Sequence, residues 1–87
     1  MISAVVLVNT NVGEEFQVLE RVKKVKEVQE VIALWGVYDI MVKIKAQTMD
    51  RLKEIIKLEL RKLAGVVSVL TLMLIENSGG LSLESGS

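Results

Sequence analysis

The segment Leu34-Trp35-Gly36-Val37-Tyr38-Asp39 lies between two apolar runs that are rich in β-branched residues. A short stretch with a glycine and an acid between two such runs is typical of the turn of a β-hairpin. The sequence therefore predicts a strand over 28–35, a reversal at Gly36 and a further strand over 39–45. Because this hairpin is central in the chain, the segments on its two sides decide the fold.

The N-terminal half predicts a strand followed by a helix. The strand is the β-rich run from Ile2 to Val8, and Thr10 or Asn11 is the expected N-cap of the helix. The helix is predicted to extend to about Lys26. Its apolar residues recur at helical spacing and form the expected inner face: Val12, Phe16, Leu19 and Val22.

The C-terminal half predicts a helix followed by a strand. Thr48 is the expected N-cap, and Ala64-Gly65 ends the helix. The fourth strand runs from Val66 to Ile75. The expected inner face of this helix consists of Met49, Leu52, Ile56, Leu60 and Leu63.

The resulting order is βαββαβ, which predicts an α+β fold of the ferredoxin-like type. This fold has a four-stranded antiparallel sheet with two helices on one face. Residues 1–76 form the predicted domain, and residues 77–87, rich in Ser and Gly, are interpreted as a flexible tail.

The two helices cover only one face of the sheet, and the other face is also apolar. In the first strand, Val5 and Leu7 are expected on one face and Ala4, Val6 and Val8 on the other. In the last strand both faces are again apolar, with Val66, Leu70, Leu72 and Leu74 on one and Val67, Val69, Met73 and Ile75 on the other. A sheet with one face in water shows polar residues at every second position. Burying about 600 Å2 of such a face contributes on the order of 15 kcal/mol before the costs of association. We therefore expect a two-fold homodimer that forms through the sheet.

Composition excludes several classes of function. The chain has 87 residues, of which 51% are hydrophobic and only 3% aromatic, with 11 basic and 11 acidic residues and neither His nor Cys. The balanced charge gives no basic field for nucleic acid, and no apolar run reaches the roughly 20 residues of a membrane span. Without His or Cys we expect no metal site, no cofactor and no catalytic histidine. A cytoplasmic protein without direct contact to nucleic acid or membrane is the expectation.

The order of these motifs resembles the Lrp/AsnC ligand-binding domain, also called the RAM domain. The resemblance rests on Gly36-Val37-Tyr38-Asp39, on Gly65-Val66 and on Thr71, and it covers residues 1 to about 76. Family members usually carry an N-terminal helix-turn-helix, so this chain resembles a stand-alone effector domain. The resemblance implies a dimer that assembles further into octamer-like rings, with an amino-acid effector near the hairpin, between neighbouring dimers.

The candidate ligand-binding residues are those of the hairpin and the last strand: Trp35, Gly36, Val37, Tyr38, Asp39 and Thr71. Gly36 can take a positive φ and lets a ligand approach its backbone closely, although any tight turn also needs a glycine. Asp39 either anchors an ammonium group or hydrogen-bonds the turn backbone. Trp35 and Tyr38 serve either ligand contact or interface packing.

This chain departs from the family pattern at two positions. Trp35 stands where members often have Thr, and Val69 replaces one of two alternating Thr residues in the last strand. Each change removes a hydroxyl that can bind a zwitterion. Lys57 and Arg61 lie one turn apart on a helix face, where they either select an acidic ligand or remain solvated.

The leading hypothesis is a non-catalytic module that senses an amino acid, forms oligomers and modulates full-length Lrp/AsnC-type regulators by co-assembly. One alternative is a purely structural oligomer without a ligand. Another is a small dimeric enzyme of ferredoxin-like fold, for which only Asn9, Tyr38 and Asp39 are available as polar groups.

Overall fold

The computed structural model describes residues 1–77 and 80–86. The elements are β1 (Ile2–Thr10), α1 (Glu15–Lys23), β2 (Val28–Ala33), β3 (Ile40–Ala46), α2 (Met49–Glu54), a π-helical segment (Ile55–Leu60), β4 (Val66–Asn77) and β5 (Gly80–Gly86). The strands form one antiparallel sheet in the order β2-β3-β1-β4-β5. The predicted ferredoxin-like βαββαβ order is confirmed over β1 to β4.

The fifth strand is the main departure from the expected four-stranded sheet. Residues 80–86, expected to belong to a flexible tail, pair antiparallel with β4, with Leu83 opposite Leu74. Two leucines that alternate with Ser82 and Glu84 have the period of a strand, and this pairing gives β4 hydrogen-bond partners along its outer edge. Residues 78, 79 and 87 of the predicted tail lie outside the described residues.

The hydrophobic core lies between one face of the sheet and the helices. Residues of β1 and β3 alternate between this face and the opposite one, as period-two strands require. We call α2 together with the π-helical segment that follows it the second helical unit. The fully buried side chains include Ala4, Val6, Ile40, Val42 and Ile44 from the sheet, Val18 and Val22 from α1, and Leu52, Ile55 and Leu60 from the second helical unit.

Helix α1 is shorter than expected, and it presents a different face to the core. Gly13 has φ +85° and Glu14 N donates to Asn11 O, so a turn precedes the helix. Thr10 and Asn11 are not its N-cap; Glu14 holds that position, without a side-chain cap hydrogen bond. Val18 and Val22 are buried, whereas Phe16 is 78% exposed. Both the expected start of the helix and its expected inner residues Val12 and Phe16 were therefore wrong.

The second helical unit begins as predicted and then changes its hydrogen-bond pattern. Thr48 Oγ1 accepts a hydrogen bond from Arg51 N at 3.1 Å, which confirms the expected N-cap. Further along, Arg61 N donates to Ile56 O, an i→i+5 bond. The wider turn brings Ile55 and Leu60, five residues apart, to full burial, while Met49 is 38% exposed.

The sheet face opposite the helices is apolar at its centre, as the alternation predicted. Leu7 pairs with Met41 on one side and with Leu70 on the other, and these residues lie outside the core between sheet and helices. A bulge between Asn9 and Thr10 shifts the register with β4. The alternation of the sequence had grouped Val66 with Leu70 on the open face. Because of this shift, Val66 packs against the core instead.

Candidate functional site

The loop between β2 and β3 is held at its base by main-chain hydrogen bonds. Leu34 N donates to Asp39 O at 2.8 Å, which closes the loop, and Asp39 N donates to Val8 O at 3.0 Å, which ties it to β1. Strand β2 ends at Ala33 and β3 begins at Ile40, so the reversal is longer than the sequence predicted. The hairpin thus presents a six-residue loop on a rigid base.

Asp39 fixes this loop to the end of β1 through its side chain. Its Oδ2 accepts hydrogen bonds from Thr10 N at 2.8 Å and from Thr10 Oγ1 at 3.3 Å. Thr10 is 9% exposed, so these bonds satisfy polar groups that are largely removed from water. One of the two roles considered for Asp39, bonding to the backbone, is therefore present. Its role toward a ligand stays a prediction.

The tip of the loop projects into solvent. Trp35 and Val37 are fully or largely exposed, at 104% and 85%, while Tyr38 is half-buried. Gly36 does not use the positive φ that a glycine can take, because in the described chain only Gly13 and Gly65 have one. A longer loop reverses the chain without that strained conformation. A Cβ on Gly36 would meet no atom within 4 Å, so its backbone is accessible.

A cavity of about 460 Å3 lies between this loop and the start of α1. The loop contributes Leu34, Trp35, Gly36 and Asp39, and α1 contributes Glu15, Phe16 and Leu19. Sequence reasoning missed the α1 residues because it assigned Phe16 to the core. The signal that was available is the spacing of Val18, Val22 and Val25, which supplies a buried face from α1 into the turn after it and leaves Phe16 outside that face.

The cavity is apolar with two carboxylates at its border. Glu15 and Asp39 are its acidic lining residues, and no Lys or Arg is among the described residues that line it. Such a lining is complementary to an ammonium group attached to an apolar side chain. A carboxylate in the same cavity would have to bind main-chain N–H groups, such as that of Gly36, or groups from another subunit.

Thr71, the sixth candidate residue, does not lie at the hairpin. It pairs with Val6 in the middle of the sheet and lines a separate groove of about 440 Å3 beside α2. Lys57 and Arg61 line the same groove. Within one chain, five of the six candidates therefore lie in the loop between β2 and β3. Trp35, Gly36 and Asp39 line its cavity, whereas Val37 and Tyr38 do not, and Thr71 lines the separate groove.

The strongest electrostatic interactions lie away from both cavities. The Arg51 guanidinium donates to the carboxylate of Glu27 at 2.7 and 3.1 Å and contacts Glu54 at 2.6 Å and Glu59 at 3.0 Å. These hydrogen bonds lower the pKa of Glu27 and raise the pKa of Arg51. The network connects the turn after α1 to the second helical unit, which is a structural role.

Two further features bear on the class of site. In the part of the chain that the structure describes, no group of three or more Asp and Glu residues is placed to hold a metal ion. Over the same residues, no helix has both the length and the apolar composition needed to cross a membrane.

Comparison with known proteins identifies the family. Residues 3–78 match the Lrp/AsnC ligand binding domain. The chain therefore belongs to the Lrp/AsnC ligand-binding domain family, as its motifs indicated. No curated protein sequence matches it with significance.

Three solved structures illustrate the similarity. The crystal structure of FFRP-DM1 is 31% identical, with a TM-score of 0.83 over 86% of this chain and 100% of that chain. A hypothetical protein of Pyrococcus horikoshii is 29% identical, with a TM-score of 0.82 over 90% of this chain and 94% of that one. A transcriptional regulator of Neisseria meningitidis in complex with L-methionine is 20% identical, with a TM-score of 0.76 over 88% of this chain and 51% of the regulator.

These findings place the chain among ligand-binding domains of transcriptional regulators and not in a family of enzymes. The chain spans about half the length of the Neisseria regulator. At 20% identity that regulator shares the fold with this chain, and its ligand is a property of the regulator itself.

Proposed function

We propose that the chain is a non-catalytic module that binds an amino acid beside the hairpin loop and couples this binding to the assembly of subunits. The observation that carries the proposal is the cavity between the loop and α1, in a chain that belongs to a family of ligand-binding domains. Its volume lies within the 300–1,000 Å3 range that is typical of small-molecule sites. The L-methionine complex of a regulator with the same fold supports an amino acid as the ligand class.

In this proposal the two carboxylates and the apolar wall have different roles. Asp39 uses Oδ2 to hold Thr10, and Oδ1 makes no hydrogen bond within the described residues, so it is available to an ammonium group. Glu15 offers a second carboxylate from the first turn of α1. Phe16, Leu19 and Trp35 surround the ligand's apolar side chain.

The module acts as an oligomer. Its open sheet face supports a two-fold dimer, because the apolar row around Leu7 lacks a partner among the described elements. The exposed Phe16, Trp35 and Val37 form a second apolar surface beside the cavity. Contact between dimers at this surface would complete the cavity and build an octamer-like ring. A bound amino acid would then shift the equilibrium between assemblies by binding one of them more tightly.

The biological role that follows is modulation of full-length Lrp/AsnC regulators in the cytoplasm. The chain would join their rings through the shared oligomerising surfaces and would not bind DNA itself. Native mass spectrometry of the chain mixed with a DNA-binding family member tests this step. Mixed assemblies are expected, and strictly separate homo-oligomers would contradict co-assembly.

The ligand is tested through Trp35, the single tryptophan of the chain. Titration with a panel of amino acids is expected to change Trp35 fluorescence, and light scattering is expected to show a shift in size with the same ligand. Glu15→Gln should weaken this binding about tenfold, equivalent to ~1.4 kcal/mol. Glu20→Gln is the matched control, since Glu20 is an exposed acid of α1 outside the cavity.

The outcomes separate sensing from the alternative of a structural oligomer. If no amino acid changes either fluorescence or size, the effector role fails and an oligomer without a ligand remains. If fluorescence changes while the size distribution stays constant, binding is retained and its coupling to assembly is contradicted.

A further inference from the structure

A second cavity lies between the second helical unit and β4. This groove, of about 440 Å3, is here called the α2–β4 groove, and it shares no lining residue with the cavity at the hairpin. Its floor is apolar and includes Met49, Leu52, Ile56 and Met73. Within one chain the groove is therefore separate from the cavity at the hairpin, and it contains Thr71, which the sequence had grouped with the hairpin residues.

The rim of the α2–β4 groove is basic. Lys53, Lys57 and Arg61 line it at successive intervals of four residues, and all three are exposed. No acidic residue is among its described lining residues, and none of these cations takes part in a salt bridge with the side chains that the structure describes. Thr71 adds a hydroxyl from β4. Positive charge is thus concentrated at the edge of an apolar floor.

The π-helical segment forms part of the groove wall, to which it contributes Ile56 and Lys57. The i→i+5 bond from Arg61 N to Ile56 O widens the last turn, so that Ile55 and Leu60 are buried beneath the helix. Lys57 and Arg61 are four residues apart, so they lie on one side of this helical unit and both line the groove. π-Helical segments inside helices are frequent at functional sites.

We infer that the α2–β4 groove is a second binding site, which takes a small amphiphilic carboxylate with its head on Lys57 and Arg61 and its aliphatic tail on the floor of Ile56 and Met73. The inference rests on the opposite charge of the residues that border the two cavities. The hairpin cavity is bordered by acids and suits an ammonium group, whereas the groove is bordered by cations and suits an anion. The inference goes beyond the proposed function, since it concerns another cavity and another class of ligand.

Octanoate is the probe for this site, with octanol and octylamine as neutral and cationic analogues of equal chain length. Calorimetric titration is expected to show binding of octanoate at least tenfold tighter than that of octanol, with octylamine weakest. From butyrate to octanoate the affinity should rise about fourfold for each added methylene, as the burial of a CH2 group predicts. Octanol binding as tightly as octanoate would overturn the inference, and so would an affinity that is independent of chain length.

A pair of double variants locates the head group. Lys57→Gln with Arg61→Gln is expected to lower octanoate affinity at least tenfold. Lys24→Gln with Lys62→Gln removes the same charge from exposed positions outside the groove and should leave the affinity within twofold. Equal effects of the two doubles would mean that only net charge matters, which would contradict a site in the groove.

Amide chemical shifts locate the tail independently of any variant. Octanoate is expected to perturb the amides of Ile56, Thr71 and Met73. Perturbations centred on Leu7 and Leu70 would place the tail on the open sheet face and would overturn the inference. Circular dichroism of the double variants checks that their fold is retained.

Discussion

Asp39 joins the hairpin loop to the end of β1. Its carboxylate satisfies the main-chain N–H and the hydroxyl of Thr10, and its own N–H donates to Val8 O. Asp39, which is proposed to bind the ammonium group of a ligand, thus also stabilises the loop. Any loss of ligand binding in an Asp39 variant therefore has to be separated from a loss of stability.

The variant Asp39→Ala is expected to lower the free energy of unfolding by about 1–3 kcal/mol, because it leaves the polar groups of Thr10 without their partner. Urea denaturation monitored by circular dichroism measures the change. The control is Asp50→Ala, an exposed acid in the first turn of α2, which should cost less than about 1 kcal/mol. An equal, small effect of both substitutions would contradict the anchoring role of Asp39.

The glycine positions differ in whether the fold requires the absence of a side chain. Gly65 has φ +94°, and a Cβ placed on it would lie 2.7 Å from Val18 Cγ2. Gly36 has neither constraint, although the sequence suggested that the hairpin glycine would be the special one. Position 65 requires a glycine because it lies where the end of the second helical unit meets α1. This requirement comes from contact with Val18, a residue that is distant in sequence.

Gly65→Ala is accordingly expected to destabilise the protein by about 1–3 kcal/mol, from backbone strain together with the clash against Val18. The same substitution at Gly36 should be neutral or stabilising by up to about 1 kcal/mol, because it restricts the unfolded chain without straining the native one. Thermal unfolding of the two variants compares them directly. A more harmful Gly36→Ala would show that this loop takes a positive φ after all.

Among the elements, the second helical unit shows where sequence periodicity is insufficient. Its N-cap, Thr48, followed from local chemistry, since a threonine side chain before a helical run accepts an N-terminal N–H. Its buried residues did not follow fully, because spacing of three and four residues assumes an α-helix throughout. In the π-helical segment that follows α2, Ile55 is fully buried in the core, a position that α-helical spacing had not placed on the inner face.

The ion pair between Glu27 and Arg51 connects two elements and makes stability depend on pH. Two hydrogen bonds from the guanidinium hold the pKa of Glu27 below its ordinary value of 4.5. A carboxyl group with a lowered native pKa stabilises the fold above its unfolded pKa, and this contribution is lost as the pH falls through the native pKa.

We therefore expect Glu27→Gln to lower the melting temperature at neutral pH, where the native chain has the ionised pair. The difference between wild type and variant should shrink once the pH falls below about 4.5 and should approach zero in stronger acid. Calorimetric scans across this range measure it, with Glu30→Gln as the control at an exposed position of β2. A difference that is constant with pH would exclude the ionised pair as its cause.

At the scale of the whole molecule, the sheet has one face covered by helices and one open. The open face has aliphatic residues at its centre, where Leu7 lies between Met41 and Leu70. The fifth strand widens the sheet beyond the four strands of the basic topology. Both features concern surfaces that a second copy of the chain can use.

If the open sheet faces pair as proposed, Leu7→Glu is expected to dissociate the dimer into monomers, because a charge at the centre of the interface has to be desolvated. Sedimentation velocity at micromolar concentration measures the change. Val67→Glu provides the control, since Val67 is 63% exposed in β4 next to the bulge and away from the centre of this face. A wild-type chain that sediments as a monomer would remove the dimer from the proposal.

The sequence by itself determined the order of elements from β1 to β4, the apolar character of both sheet faces, the Thr48 cap and the family, because each depends on local periodicity or on short motifs in a fixed order. Only the tertiary structure decided which glycine is strained, which residues of α1 are buried, that residues 80–86 pair with β4 and that Thr71 lies far from the hairpin. These properties arise where segments distant in sequence meet. Their register, bulges and helical turns adjust to pack the core, and no local pattern encodes that adjustment.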